Sequence, residues 1–92
     1  MRVKVRIFGE ISRIYGDRHI LEIEEGSNIS SVIKRIQENT KITSSDYMGE
    51  WPIGSPDLTI IVNGKNVDLI DGLGTKVHNN DDIVITTYAE GG

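Results

Sequence analysis

Only one segment of this chain has the apolar period of a helix long enough to cover a sheet. Residues 27–40 (SNISSVIKRIQENT) carry apolar residues at i, i+3, i+4 and i+7, which form one stripe: Ile29, Val32, Ile33 and Ile36. We predict Ser30 as the N-cap, with Ile29 just before it as a staple residue, and a helix end at Asn39 and Thr40. Because one amphipathic helix covers one face of a sheet, the other face should stay open.

Strands are predicted wherever apolar and polar residues alternate. Residues 1–8, 18–24, 58–62 and 82–88 alternate in this way, and Asn63-Gly64 predicts a tight hairpin into a short further strand. The first two strands should pair antiparallel across a short helical turn or structured loop. The inward residues predict one core: Val3, Val5, Ile7, Leu21, Ile23, Ile60, Val62, Ile83 and Ile85. The pattern predicts a single α+β domain with one main helix on a sheet of about five strands.

Residues 41–57 have no apolar period. They carry two prolines and two glycines, which favours a long loop, with or without a turn of helix. We expect Trp51 and Ile53 to anchor this loop to the core.

The outward residues of the strands define the open face. Phe8 is expected near the end of the first strand, and the same alternation places six more residues on this face: Lys4, Arg6, Ile61, Val84, Thr86 and Tyr88. Several are apolar or β-branched, so the face is a candidate partner surface. The alternative is ordinary exposure, because every small protein shows some apolar surface. The strand pattern alone favours neither interpretation.

Composition excludes several functions. The formal net charge is −4, which argues against nucleic acid as a partner and favours basic partners, and no apolar run predicts a membrane span. The chain has no cysteine, and neither His19 nor His78 has a nucleophile or a metal-ligand spacing beside it. Residues 79–82 (NNDD) fit a turn before a strand better than a calcium loop. We therefore expect no metal site, no bound cofactor and a cytoplasmic location.

The last five residues, Tyr88 to Gly92 (YAEGG), suggest a different chemistry. An extended five-residue tail reaches about 17 Å, and two glycines leave the final carbonyl unhindered. ATP can convert such a carboxylate to an acyl-adenylate, which a sulfur or nitrogen nucleophile then attacks. The alternative is that Gly91-Gly92 arose by chance, by truncation or as a scar.

The chain resembles the MoaD group of ubiquitin-like sulfur carriers, the small subunits of molybdopterin synthase, which are relatives of the thiamine carrier ThiS. Four stretches and the terminal Gly-Gly carry the resemblance: VKVRIFGEISRIYGD, EEGSNISSVIKRI, IIVNGKNV and NNDDIVI. It extends over nearly the whole chain and implies a ubiquitin-like β-grasp domain over residues 1–92. In that fold the first and last strands lie parallel at the centre of the sheet, and residues 88–92 would form a flexible tail.

The resemblance also implies roles for individual residues. A ubiquitin-activating-type adenylyltransferase, using ATP and Mg²⁺, would adenylate Gly92, which would then become a thiocarboxylate. Tyr88, Ala89, Glu90 and Gly91 would insert into the large subunit of molybdopterin synthase, where the sulfur is given to a pterin precursor. The partners would dock on four residues of the open face: Phe8, Ile61, Val84 and Thr86.

Three alternatives stay open at the level of sequence. The same architecture serves small protein modifiers, which are joined to lysines through the same carboxylate. It also serves sulfur carriers for thiamine or for tRNA thiolation. A third possibility, from a different class, is a β-grasp interaction domain whose tail is inert.

Overall fold

The computed structural model describes residues 1–87, so the predicted tail, Tyr88 to Gly92, lies outside the described residues. The helices are α1 (Ser12–Tyr15) and α2 (Ile29–Thr40). The strands are β1 (Arg2–Phe8), β2 (Arg18–Glu22), β3 (Tyr47–Met48), β4 (Trp51–Pro52), β5 (Leu58–Val62), β6 (Lys65–Asn66) and β7 (Asp82–Thr87). Two short 3₁₀ helices, Val67–Leu69 and Gly72–Gly74, lie between β6 and β7.

Five strands form one mixed sheet in the order β2-β1-β7-β5-β6. The two strands farthest apart in the sequence, β1 and β7, pair in parallel at its centre, and the other pairs are antiparallel. Val5 lies beside Ile83 and Ile7 beside Ile85, so the inward residues of both strands share one face. With α2 as the one long helix of residues 1–87, this is the predicted α+β β-grasp fold.

The core lies between the sheet and α2. All nine inward strand residues predicted from the alternation are buried, as are the four residues of the helix stripe. Burying a large aliphatic side chain contributes about 1.5–3 kcal/mol, so this face of the sheet fixes the strand register. Ile11 and Tyr15 extend the core beneath α1, which is the short helical turn predicted for that stretch.

The predicted N-cap of the main helix is wrong. Asn28, not Ser30, caps α2: its side chain accepts a hydrogen bond from the Ser31 amide at 3.0 Å, and the Ser31 hydroxyl bonds back to the Asn28 amide. Ile29 is the first helical residue rather than a staple outside the helix. Its side chain is fully buried and its amide donates to the Thr75 carbonyl, so the helix starts two residues earlier than predicted.

The segment 41–57 is more ordered than predicted. It contains the two-residue strands β3 and β4, which pair antiparallel, and it contains no helical turn. Trp51 and Ile53 pack against the core as predicted, but Met48, which is fully buried, was missed. The buried amide of Gln37 donates to the Tyr47 carbonyl at 3.0 Å, which ties this hairpin to α2.

Residues 79–82 form a turn rather than a cation loop. The Asp81 carboxylate is almost buried and accepts hydrogen bonds from the His78 amide at 2.7 Å and from Asn63 Nδ2 at 2.9 Å. Asn63 and Gly64 adopt φ values of 49° and 85°, as the predicted hairpin turn requires. Asp81 thus connects the start of β7 to the β5–β6 hairpin.

Candidate functional site

The open face is the side of the sheet that α2 does not cover. It consists of the outward residues of five strands: Arg2, Lys4, Arg6, Phe8, Arg18, Ile20, Glu22, Thr59, Ile61, Asn66, Asp82, Val84 and Thr86. None of these residues is buried. In the central strands β1, β7 and β5, the residues that alternate with them are buried in the core. The predicted split between a core face and an open face is therefore confirmed.

The four residues predicted to bind a partner lie on this face in two adjacent pairs. Ile61 lies directly opposite Val84, and Phe8 lies directly beside Thr86. Phe8 is 49% exposed, whereas the other three are half-buried. Their common position follows from the register of β1, β7 and β5; their role as a docking surface stays a prediction.

Ile20 was missed and is among the most exposed apolar residues of the described chain, at 67%. It lies on β2, opposite Lys4. The signal was available, because Leu21 faces inward and its neighbour must then face outward. The apolar part of the open face thus extends across four strands rather than three.

Charged residues surround these apolar side chains. Arg6 Nη2 lies 2.9 Å from Asp82 Oδ2, and the Arg6 guanidinium stacks over the Phe8 ring at 5.9 Å from its centroid. Arg2 pairs with Glu22 at 2.7 Å. The side chains of both ion pairs are about half or more exposed, so the pairs orient the face more than they stabilise the fold.

The described chain ends beside the open face. β7 lies between β1 and β5, and its last residue, Thr87, is buried next to Gly9. A Cβ at Gly9 would collide with Thr87 Oγ1 and lie 3.2 Å from the Thr87 carbonyl oxygen. Gly9 therefore leaves the space that Thr87, the last described residue of β7, occupies. The predicted tail residues Tyr88, Ala89, Glu90, Gly91 and Gly92 themselves lie outside the described residues.

The two histidines make local contacts. A ring nitrogen of His19 lies 2.6 Å from the Tyr15 carbonyl oxygen, and His78 lies in the turn that Asp81 closes. Residues 1–87 hold no group of three or more His, Cys, Asp and Glu side chains placed to bind a metal ion. In the same residues, no helix is long and apolar enough to cross a membrane.

Solved structures with the same fold include three archaeal proteins. SAMP1 from Haloferax volcanii is 12% identical, with full coverage of both chains and a TM-score of 0.77. A Pyrococcus furiosus protein, provisionally assigned as molybdopterin converting factor subunit 1, is 20% identical over 97% of this chain and 99% of its own, with a TM-score of 0.75. Small archaeal modifier protein 1 from Methanosarcina acetivorans is 23% identical over 99% and 96%, with a TM-score of 0.74.

These likenesses show the fold. No curated protein sequence matches the chain significantly. The model of the ThiS family matches residues 5–92, which begin within β1 and include all later strands and the Gly-Gly end. The chain therefore belongs to the ThiS family of ubiquitin-like sulfur carriers.

Proposed function

We propose that this protein is the sulfur-carrying small subunit of a molybdopterin synthase. The observation that supports it most is the joint position of the open face and the end of β7. Phe8 lies directly beside Thr86, which is one residue before the last described residue, Thr87. A partner that docks there is therefore close to the start of the tail. The family membership and the fold shared with the Pyrococcus furiosus protein support the same proposal.

The proposed reaction sequence begins with activation of Gly92. Its carboxylate attacks the α-phosphate of ATP on a ubiquitin-activating-type adenylyltransferase that uses Mg²⁺, which forms an acyl-adenylate and releases pyrophosphate. A sulfur nucleophile then attacks the carbonyl carbon and AMP leaves. When that nucleophile is a persulfide of the sulfur donor, the product is an acyl disulfide. A thiol then reduces its S–S bond, and the sulfur on the carbonyl carbon remains as the Gly92 thiocarboxylate, so the carrier itself needs no cysteine.

The tail and the open face have separate roles in this proposal. Tyr88, Ala89 and Glu90 guide the end of the chain into a partner, and Gly91 gives clearance beside the reactive carbonyl of Gly92. Phe8, Ile61, Val84 and Thr86 dock the activating enzyme first. The large subunit of the synthase then accepts the tail and transfers sulfur to a pterin precursor in the cytoplasm. The proposal requires that Gly92 be the last residue of the mature protein.

The second candidate function is protein modification. It is favoured by the fold shared with small archaeal modifier protein 1, at 23% identity. In this case a lysine amine, rather than sulfur, would attack the Gly92 acyl group. Sulfur delivery to a thiazole or a tRNA base would use the same thiocarboxylate with a different acceptor.

Reconstitution with purified partners tests the proposal. The wild-type chain and a Gly92 deletion are each incubated with the activating enzyme of the same organism, a sulfur donor, the large synthase subunit and the pterin precursor. We expect ATP–pyrophosphate exchange and dithiolene formation with the wild type, and neither with the deletion. The deletion should melt at the wild-type temperature, because the core of the described residues lies within 1–87 and Gly92 is five residues beyond Thr87.

A control variant separates the tail from general surface effects. Leu69 is 74% exposed and lies outside the open face, so Leu69→Ser should keep full activity. If neither chain supported exchange and the Gly92 deletion bound its partner as tightly as the wild type, the chain would be an interaction domain with an inert tail. If exchange occurred but only lysine conjugates formed, the modifier function would replace the proposed one.

A further inference from the structure

Charge is distributed unevenly over this protein. The open face holds four cationic side chains, Arg2, Lys4, Arg6 and Arg18, against two carboxylates, Glu22 and Asp82. The rest of the chain then holds six lysines and arginines against twelve aspartates and glutamates. Net charge alone predicts basic partners, but the face that surrounds the exposed apolar residues has the opposite sign.

Two of these cations lie in an unfavourable arrangement. Arg6 and Arg18 are directly opposite each other on β1 and β2, and like charges in such a cross-strand pair repel. Arg6 is paired with Asp82, whereas no carboxylate within residues 1–87 forms an ion pair with Arg18 or Lys4. The sheet itself therefore gains nothing from a cation at position 18.

The unpaired cations Lys4 and Arg18 line a shallow depression on β1 and β2, together with the Arg6–Asp82 ion pair. Its volume is about 570 Å³, and Lys4, Arg6, Arg18 and Ile20 contribute to its wall. The register then continues from Arg18 through Arg6 to Val84 and Ile61, in one row across four strands. A cationic half and an apolar half thus lie side by side on the open face.

We infer that the open face binds a protein partner through an apolar patch flanked by carboxylates. The apolar patch would cover Val84 and Ile61, and the carboxylates would enter the depression and pair with Arg18 and Lys4. This inference rests on the proposed function, in which the activating enzyme docks on this face. The additional point is that the docking surface of that enzyme has an apolar centre with acidic side chains beside it.

A protein fits this face better than a polyanion such as RNA. Phosphate backbones gain affinity from cations but gain nothing from covering apolar side chains. The excess of negative charge over the rest of the chain also repels a polyanion as it approaches. An acidic protein surface can complement both halves of the face, and charge complementarity of this kind mainly speeds association.

The experiment compares two arginine-to-glutamate variants of the full chain. Arg18→Glu reverses the charge on the open face, and Arg13→Glu makes the same change on α1, an exposed site on the helix that packs against α2. Both variants shift the formal net charge equally. The rate constant for association with the purified activating enzyme, and kcat/KM for ATP–pyrophosphate exchange, are measured at about 50 mM and about 500 mM NaCl.

We expect Arg18→Glu to lower both rate constants about 10-fold at low salt, and the loss to shrink at high salt. Both rate constants of Arg18→Gln should lie between those of Arg18→Glu and those of the wild type. Arg13→Glu should change both rate constants less than 2-fold. The Tm of Arg18→Glu should equal or exceed that of the wild type, because the new carboxylate lies opposite Arg6. Loss of partner binding without loss of stability excludes misfolding as the cause.

Four results would overturn the inference. Equal effects of the two glutamate variants would show that only net charge matters. Binding of a single-stranded RNA 20-mer that is lost in Arg18→Glu would assign the face to nucleic acid. A wild-type protein that supports no exchange would overturn the proposed function, and the inference with it, whereas exchange that is insensitive to Arg18→Glu would overturn the inference alone.

Discussion

Gly9→Ala should destabilise the fold at the point where β7 leads into the tail. Gly9 follows β1 with a φ of +85°, a conformation in which a side chain is strained. A Cβ there would also collide with Thr87 Oγ1 and approach the Thr87 carbonyl oxygen and amide nitrogen at 3.2 and 3.4 Å. The substitution therefore combines backbone strain with a steric collision against the last described residue of the sheet.

The magnitude can be worked out from these two parts. Placing alanine at a positive φ costs about 1 kcal/mol. Overpacking against a buried, β-branched neighbour costs at least about 1 kcal/mol more, because Thr87 is 6% exposed and has little room to move. The free energy of unfolding should fall by about 2 kcal/mol in total. For a domain of this size, that corresponds to a decrease in Tm of about 8–16 °C.

Gly26→Ala is the matched control. Gly26 has almost the same φ, +86°, but no atom lies within 4 Å of a Cβ built there. It should therefore cost about 1 kcal/mol, from the backbone alone. Urea denaturation followed by circular dichroism measures both variants, and the difference between them isolates the collision with Thr87.

A double-mutant cycle identifies Thr87 as the partner in that collision. Thr87→Ala removes Oγ1, so Gly9→Ala should cost about 1 kcal/mol less in that background than in the wild type. Equal costs of Gly9→Ala and Gly26→Ala in the wild-type chain, or additive effects in the cycle, would refute the reasoning. The same outcome would show that the absence of a side chain at Gly9 is not what makes room for Thr87.

Three further substitutions have defined outcomes. Asn28→Ala removes the cap of α2 and should lower the free energy of unfolding in urea by about 0.5–2 kcal/mol. Met48→Ala leaves a cavity under the β3–β4 hairpin and should cost about 2–5 kcal/mol by the same assay; no loss would mean that the hairpin is not anchored there. Asp81→Ala leaves the Asn63 and His78 donors unpaired, should cost about 1–3 kcal/mol, and should speed hydrogen exchange of the His78 amide.

Most of the fold could be predicted from the alternation of apolar and polar residues in the strands. A period of two assigns each residue of β1, β5 and β7 to a face. The core and the positions of Phe8, Ile61, Val84 and Thr86 on the open face therefore follow from the pattern. The parallel pairing of β1 with β7 came from the family resemblance instead. No local signal specifies which strands become neighbours when about seventy residues separate them.

Contacts between residues distant in sequence, and strands too short to show a period, account for the errors. Asn28, Ser30 and Ser31 are all capable of capping a helix, and the choice depends on the Thr75 carbonyl, which is distant in sequence and bonds the Ile29 amide. The β3–β4 hairpin has two residues per strand, too few to show a period. The repulsive pair of Arg6 and Arg18 was also invisible, because it depends on the register between two strands.

The central claim is that the carboxyl group of Gly92 is activated and loaded with sulfur, and the intact mass of the protein from its native cells tests it most directly. Replacement of one carboxyl oxygen by sulfur adds about 16 Da. Because oxidation of Met1 or Met48 adds about the same mass, the increase must be located on the C-terminal peptide. We predict a thiocarboxylate at Gly92. An unmodified Gly92 in cells that are making the cofactor, or a mature chain that continues past residue 92, would contradict the claim.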